Sequence, residues 1–157
     1  MTLRLRFRPC RRFRAVQETP RIRKASHVLR IDDQALGAFW RERHLCTLTT
    51  LRADGRPHVV PVGATLDPRA GLARIIAGRT SLKVRHVAAF GEAGAPVAIC
   101  QVEGRRWSTV EGTATIGTSP DEVEEACRRY ADRYREPRPN PERIVMLIHV
   151  DRIVGNV

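Results

Sequence analysis

The residues in this chain best placed to do chemistry are cations and hydroxyls set close together. Arg79-Thr80-Ser81-Leu82-Lys83 joins a strand-like run to a helix-like one. Free backbone N–H groups at such a junction, two hydroxyl donors and a lysine one turn further on attract an anion such as a phosphate. An ordinary capped helix with a solvated lysine would leave the same signature. Just upstream, Leu45-Cys-Thr-Leu-Thr-Thr-Leu-Arg-Ala-Asp-Gly-Arg-Pro-His-Val-Val-Pro-Val-Gly63 reads as two strands with hydroxyls among the aliphatics and a proline inside the second. Such a pair suits a small barrel that holds a flat, polar-edged molecule against its wall.

Other chemistries find little support. The five histidines are scattered, with no His-x-x-x-His or His-Glu-x-x-His pair, so no metal site is expected. Cys10, Cys46, Cys100 and Cys127 share no Cys-x-x-Cys spacing, and three of them sit in apolar patterns, which predicts buried free thiols in a reducing cytoplasm. No acid/base pair or Ser-His-Asp set emerges, and no Gly-x-Gly-x-x-Gly follows a strand, which argues against a Rossmann dinucleotide site. The absence of a side-chain catalyst fits an enzyme whose bound cofactor carries the reaction.

The elements that must position these residues follow from pattern. Asp54-Gly55 predicts a two-residue type I′ hairpin turn, which sets Leu51 against His58, Thr49 against Val60 and Thr47 against Val62 on one face, with Thr50 against Val59 and Leu48 against Pro61 on the other. Asp32 is the expected cap of a first helix that buries Ala35, Leu36, Phe39 and Trp40. Strands are expected at about 45–52, 56–66, 72–78, 96–103, 106–117 and 144–150, with a helix from Thr80-Ser81 to about Phe90. Ser119-Pro120-Asp121-Glu122 opens another helix, with a capping hydroxyl, proline at the first position and acids in the first turn. Arg135-Glu136-Pro137-Arg138-Pro139-Asn140-Pro141 is a stiff, extended loop. Six strands that do not alternate as βαβ units predict a mainly β (α+β) chain, an antiparallel barrel with flanking helices.

Charge is uneven. Residues 1–30 hold ten of the 28 Lys and Arg but one of the 17 Asp and Glu, so most of the formal +11 lies there. The high isoelectric point therefore describes a basic, disordered N-terminal extension at 1–30 rather than a nucleic-acid-binding face on the folded domain, 31–157. It lacks the apolar core of a secretory signal. No apolar run reaches the 18 residues needed to span a bilayer, so neither nucleic acid nor membrane is expected as a partner.

Taken together, the Leu45–Gly63 stretch, Leu72-Ala-Arg-Ile-Ile76, Ser81-x-Lys83, Cys100-Gln-Val-x-Gly-x-Arg-Trp107, Glu111-Gly112 and Arg133-Tyr-Arg-x-Pro-Arg-Pro-Asn-Pro141 resemble the pyridoxamine-5′-phosphate-oxidase-like split β-barrels, and within them the deazaflavin-dependent group that includes biliverdin reductases. The resemblance covers residues 29–154. It implies a six-stranded split-barrel homodimer that binds coenzyme F420, with FMN as the alternative, and passes a hydride to a conjugated small-molecule acceptor such as biliverdin. The alternatives on the same fold are an FMN-binding oxidase and a non-catalytic flavin- or haem-binding module. The cofactor-binding residues it implies are Thr49, Thr50, His58, Val60, Pro61 and Val62 for the ring wall and its surroundings, and Arg79, Thr80, Ser81 and Lys83 for the phosphate. Gln101 and Trp107 would reach the partner protomer's cofactor, and Arg138 and Asn140 would take a carboxylate. His86 stands where relatives often carry asparagine.

Overall fold

The computed structural model describes residues 27–157, so most of the basic extension lies outside the described residues. The first hairpin differs from the sequence expectation by one residue. Strand β1 is His27–Val28, helix α1 Gln34–Arg41, β2 Cys46–Leu51 and β3 Pro57–Val62. Between β2 and β3, Gly55 N donates to Arg52 O and Arg52 N to Arg56 O, and Gly55 alone of the loop has positive φ (79°). This is a type I turn closed by a glycine bulge, a three-residue loop rather than the two-residue type I′ turn. The register accordingly pairs Thr50 with His58, Leu48 with Val60, Cys46 with Val62, and Thr49 with Val59. One slipped residue exchanges partners and faces. Cys46, Leu48, Thr50 and Val62 turn into the core, while Thr47, Val59 and Pro61 lie on the outer face.

The remaining elements are β4 (Thr65–Asp67), β5 (Leu72–Gly78), α2 (Leu82–Ala88), β6 (Ala95–Glu103), β7 (Arg106–Gly117), α3 (Pro120–Arg133) and β8 (Arg143–Asn156). The antiparallel sheet runs β3-β2-β6-β7-β8-β5-β4, with β1 added on β8. Seven strands therefore form the path where six were expected. The long second run breaks at Gly63-Ala64 into β3 and β4, which end up on opposite edges of the sheet. The split of the barrel lies between them. β8 is central, as its apolar run suggested, and it is bulged against β7 at Glu111/Gly112, where any Cβ on Gly112 would collide with the His149 carbonyl. The core is aliphatic, with Leu36, Leu48, Ile75, Ile99, Val110, Met146 and Ile148 at 0–1 % exposure.

Helix α1 is capped by Asp33, not Asp32: its Oδ1 accepts from Ala35 N at 2.7 Å and Leu36 N at 3.3 Å. Asp32 instead pairs with Arg30 at 2.9 Å. Helix α3 begins at Pro120 with Ser119 at its N-cap position as expected, although the Ser119 hydroxyl makes no capping hydrogen bond. Among the described residues no helix is long and apolar enough to cross a membrane.

Candidate functional site

A groove of about 480 Å³ opens where the end of β3, the end of β5, α2 and the loop after α3 meet. Pro61, Val62, Lys83, Arg138 and Asn140 all line it, so three separate stretches singled out in the sequence converge on one place. Arg135 and Arg143 add two further cations against the single acid Glu136. Burial pushes the Lys83 ammonium below its usual range. A half-buried cation without a salt-bridge partner among the described residues is stabilised by an anion arriving in the groove.

The walls are fixed locally. Asn140 Oδ1 accepts from Glu142 N at 2.9 Å, and Arg79 N donates to Glu142 O at 2.9 Å, which ties the proline-stiffened loop to the end of β5. The Asn140 amide group is then left near Gly78. Arg143 reaches back to the Arg138 carbonyl. Gly63 lies against the Tyr130 ring, where there is no room for a side chain.

Behind that wall stands Arg133, which is 9 % exposed. Its Nε donates to Glu42 O at 3.0 Å, and its other nitrogens donate to Ala64 O and Gln101 Oε1. Tyr134 Oη accepts from Ala64 N at 3.1 Å and donates to His44 O at 2.8 Å, and burial pushes its pKa up to about 12, so the hydroxyl keeps its proton. These two side chains hold the Gly63-Ala64 corner, whose Gly63 lines the groove. Sequence reading missed Arg133 as a structural residue. Its spacing from Ala126 and Tyr130, at seven and three residues, placed it on the inner stripe of α3.

The other expected site residues are distributed elsewhere. Ser81 caps α2 without a side-chain hydrogen bond, and its Oγ is buried and unpartnered among the described residues. Thr80 is exposed, and Arg79 is paired with Glu142 at 3.3 Å. Thr50 is 1 % exposed and shares a 3.0 Å hydrogen bond with His86 Nδ1. His58 stands against His86, with its Nδ1 buried and unpartnered. Leu51, Leu82, His86 and Phe90 line a smaller apolar cavity of about 340 Å³ beside this pair. Val60 packs on the core.

Gln101 is not brought to the groove. It is completely buried, and its amide is spent on Phe39 O at 2.9 Å, Arg133 and the Cys46 thiol. Thr49 and Trp107 lie on the outer sheet face, half-buried, where Thr47, Pro61, Cys100, Thr109, Val154 and Val28 form one cross-strand row. That face exposes Val59 and Val102 at 57 % and 60 %, with Val28 at 64 %. Cys46, Cys100 and Cys127 are free thiols, and no group of three metal-ligating side chains exists among the described residues.

Comparison with known proteins accounts for this arrangement of groove and sheet. Residues 32–155 match the model of the pyridoxamine 5′-phosphate oxidase family. An F420-dependent biliverdin reductase from Mycobacterium tuberculosis is 46 % identical over 127 residues, which cover 81 % of this chain and 89 % of that protein. Among solved structures, an F420 reductase superposes with a TM-score of 0.59 at 21 % identity, over 74 % of this chain and 93 % of the other. A conserved hypothetical protein of Mycobacterium tuberculosis superposes with 0.67 at 19 % identity, over 84 % and 87 %. The two structural likenesses establish the split-barrel fold; on the family model over residues 32–155 and the 46 % identity, the chain belongs to the pyridoxamine 5′-phosphate oxidase family.

Proposed function

We propose that this protein is a coenzyme F420-dependent oxidoreductase that transfers a hydride to a conjugated organic acceptor, biliverdin or a similar extended tetrapyrrole. The observation that carries the reading is the convergence of Pro61, Val62, Lys83, Arg138 and Asn140 on one cation-rich groove. A deazaflavin cofactor has a flat ring, a phosphate and a carboxylate-bearing tail, and the groove offers a partner for each. Lys83 in the groove suits the phosphate, and the unpartnered Ser81 Oγ, two residues before it though outside the groove lining, is a second donor on the same turn. Arg135, Arg138, Arg143 and Asn140 suit the tail carboxylates, and Pro61 and Val62 give a wall for the ring. Arg79 and Thr80 precede Ser81 in the chain and lie outside the groove lining. When bound, reduced F420 supplies the hydride, and the protein supplies orientation and charge. The 46 % identical relative supports both the cofactor and the acceptor class.

The active form in this reading is a homodimer in the cytoplasm. Four aliphatic side chains more than half exposed, Val28, Leu45, Val59 and Val102, are more than a soluble monomer readily leaves to water. A second copy on the outer face would bring Thr49 and Trp107 to the partner's groove. Titration with F420, FMN and haem, followed by fluorescence and absorbance, tests the cofactor, and stopped-flow reoxidation of reduced F420 by biliverdin tests the reaction. Preferential binding of FMN with a yellow product would replace F420. Tight F420 binding with no reoxidation by any conjugated acceptor would leave a binding module.

A further inference from the structure

A second cavity, with no lining residue in common with the groove, lies between α1, β4 and α3. Its volume is about 270 Å³, and Trp40, Arg41, Thr65, Leu66, Arg129, Asp132 and Arg133 line it. Three features single it out. Arg133 is a charged side chain more than nine-tenths buried, yet its three hydrogen-bond acceptors, Glu42 O, Ala64 O and Gln101 Oε1, are all neutral. Among the described residues it has no carboxylate partner, although a buried cation ordinarily requires one. Thr65 is 7 % exposed, and its Oγ1 has no hydrogen-bond partner among the described residues. Buried hydroxyls are seldom left so. Arg41 forms no ion pair among the described residues, whereas the lining residues that do pair are satisfied elsewhere: Arg129 by Asp67 at 2.9 Å and Glu125 at 2.5 Å, and Asp132 by Arg128 at 3.3 Å.

The cavity thus holds two arginines without an ion pair among the described residues, Arg133 lying over the Trp40 and Tyr134 rings at 5.1 Å, together with one free hydroxyl, two apolar walls and the Arg128-paired carboxylate of Asp132. Of the five guanidinium N–H groups on Arg133, three are spent, leaving donors for a further oxygen. The Trp40 indole N–H is committed to Ser108 Oγ at 2.8 Å, so the ring contributes an apolar surface, as does Leu66. We infer that this cavity binds a small organic carboxylate, its oxygens held by Arg133, Arg41 and the Thr65 hydroxyl, and its compact apolar body packed between Trp40 and Leu66. Phosphate offers charge without the apolar body and should bind worse. This site is independent of the cofactor reading given above.

The test uses the full chain, ¹H–¹⁵N spectra and benzoate as the probe, with phosphate and chloride at equal ionic strength as controls. The two tryptophans, Trp40 and Trp107, give two indole N–H signals. The expected result is a saturable benzoate shift at Trp40, little change at Trp107, and affinity weakened about tenfold or more in Arg41→Gln, the loss of one charge-assisted contact. Thr65→Val should weaken it less, and Lys83→Ala, in the separate groove, should leave it unchanged. Arg41 is exposed, so that variant decides the matter even where Thr65→Val proves unstable. Absence of a saturable Trp40 shift, an equal response to phosphate or chloride, or abolition by Lys83→Ala would overturn the assignment.

Discussion

The imidazoles of His58 and His86 meet edge to face, with ring centroids 4.9 Å apart and planes at 85°. Thr50 anchors His86 from the core side, and burial, followed by the charges of His58, Arg52 and Arg85, holds the His86 pKa below its usual 6.5. The unfolded chain therefore takes up this proton at a higher pH than the folded protein. Stability from this group is fully present above about pH 6.5 and declines as pH falls through the lower folded value. Calorimetry from pH 7 to pH 5 should show a steeper fall in Tm for the native protein than for His86→Asn. Parallel curves would mean that His86 does not govern acid stability.

Lys83→Ala should weaken F420 binding roughly 10- to 100-fold, the loss of a charge-assisted contact of about 1.5–3 kcal/mol. Turnover at saturating cofactor should change far less, because a contact to the phosphate is shared by ground and transition states. Fluorescence titration beside stopped-flow reoxidation separates the two effects. Unchanged affinity would move the phosphate site away from Lys83.

Val102→Glu should convert a dimer into a monomer at micromolar concentration, since it places a charge on the exposed apolar face without disturbing the core. Light scattering measures this directly. A native protein already monomeric at that concentration would remove the two-copy site.

Gly63→Ala should destabilise the protein by about 1–3 kcal/mol, as crowding of a packed site does. The new methyl would stand 2.5 Å from Tyr130 Cε2 and 3.2 Å from Tyr134 Cε2. Tyr130→Leu in the same chain should recover part of the loss in thermal melts. A Gly63→Ala protein as stable as the native one would show that the ring moves aside freely.

Deleting residues 1–26 should leave Tm and F420 affinity unaltered. Their nine Lys and Arg against one Glu repel one another, which opposes compaction on top of an ordering cost of about 1–2 kcal/mol per residue. Deletion through residue 30 is a different experiment, because Val28 pairs with Val154 and Leu29 N donates to Ile153 O at 2.9 Å. A fall in Tm confined to the longer deletion is the expected pattern.

By itself the sequence determined the parts of this protein that rest on local chemistry. Ser119-Pro120 starts α3, the apolar run beginning near Ile144 becomes the central strand, and Lys83 and the Pro137–Pro141 loop carry the groove's cations and stiffness, because caps, periodicity and proline geometry act within a few residues. Tertiary structure decided the rest. Asp54-Gly55 is compatible with both a two-residue and a three-residue hairpin loop, and the choice falls to the register that buries Cys46, Leu48 and Thr50 against the distant core. Gln101, which the family resemblance sets beside Trp107 at the partner's cofactor, is drawn inside by Arg133 and by Phe39 O, 32 and 62 residues away in the chain. Arg133 is buried by contacts to the Glu42 carbonyl 91 residues upstream. Hydrogen-bond partners at such separations leave no mark in local spacing. They exist only once the sheet has closed and a polar group shut away from water must find another.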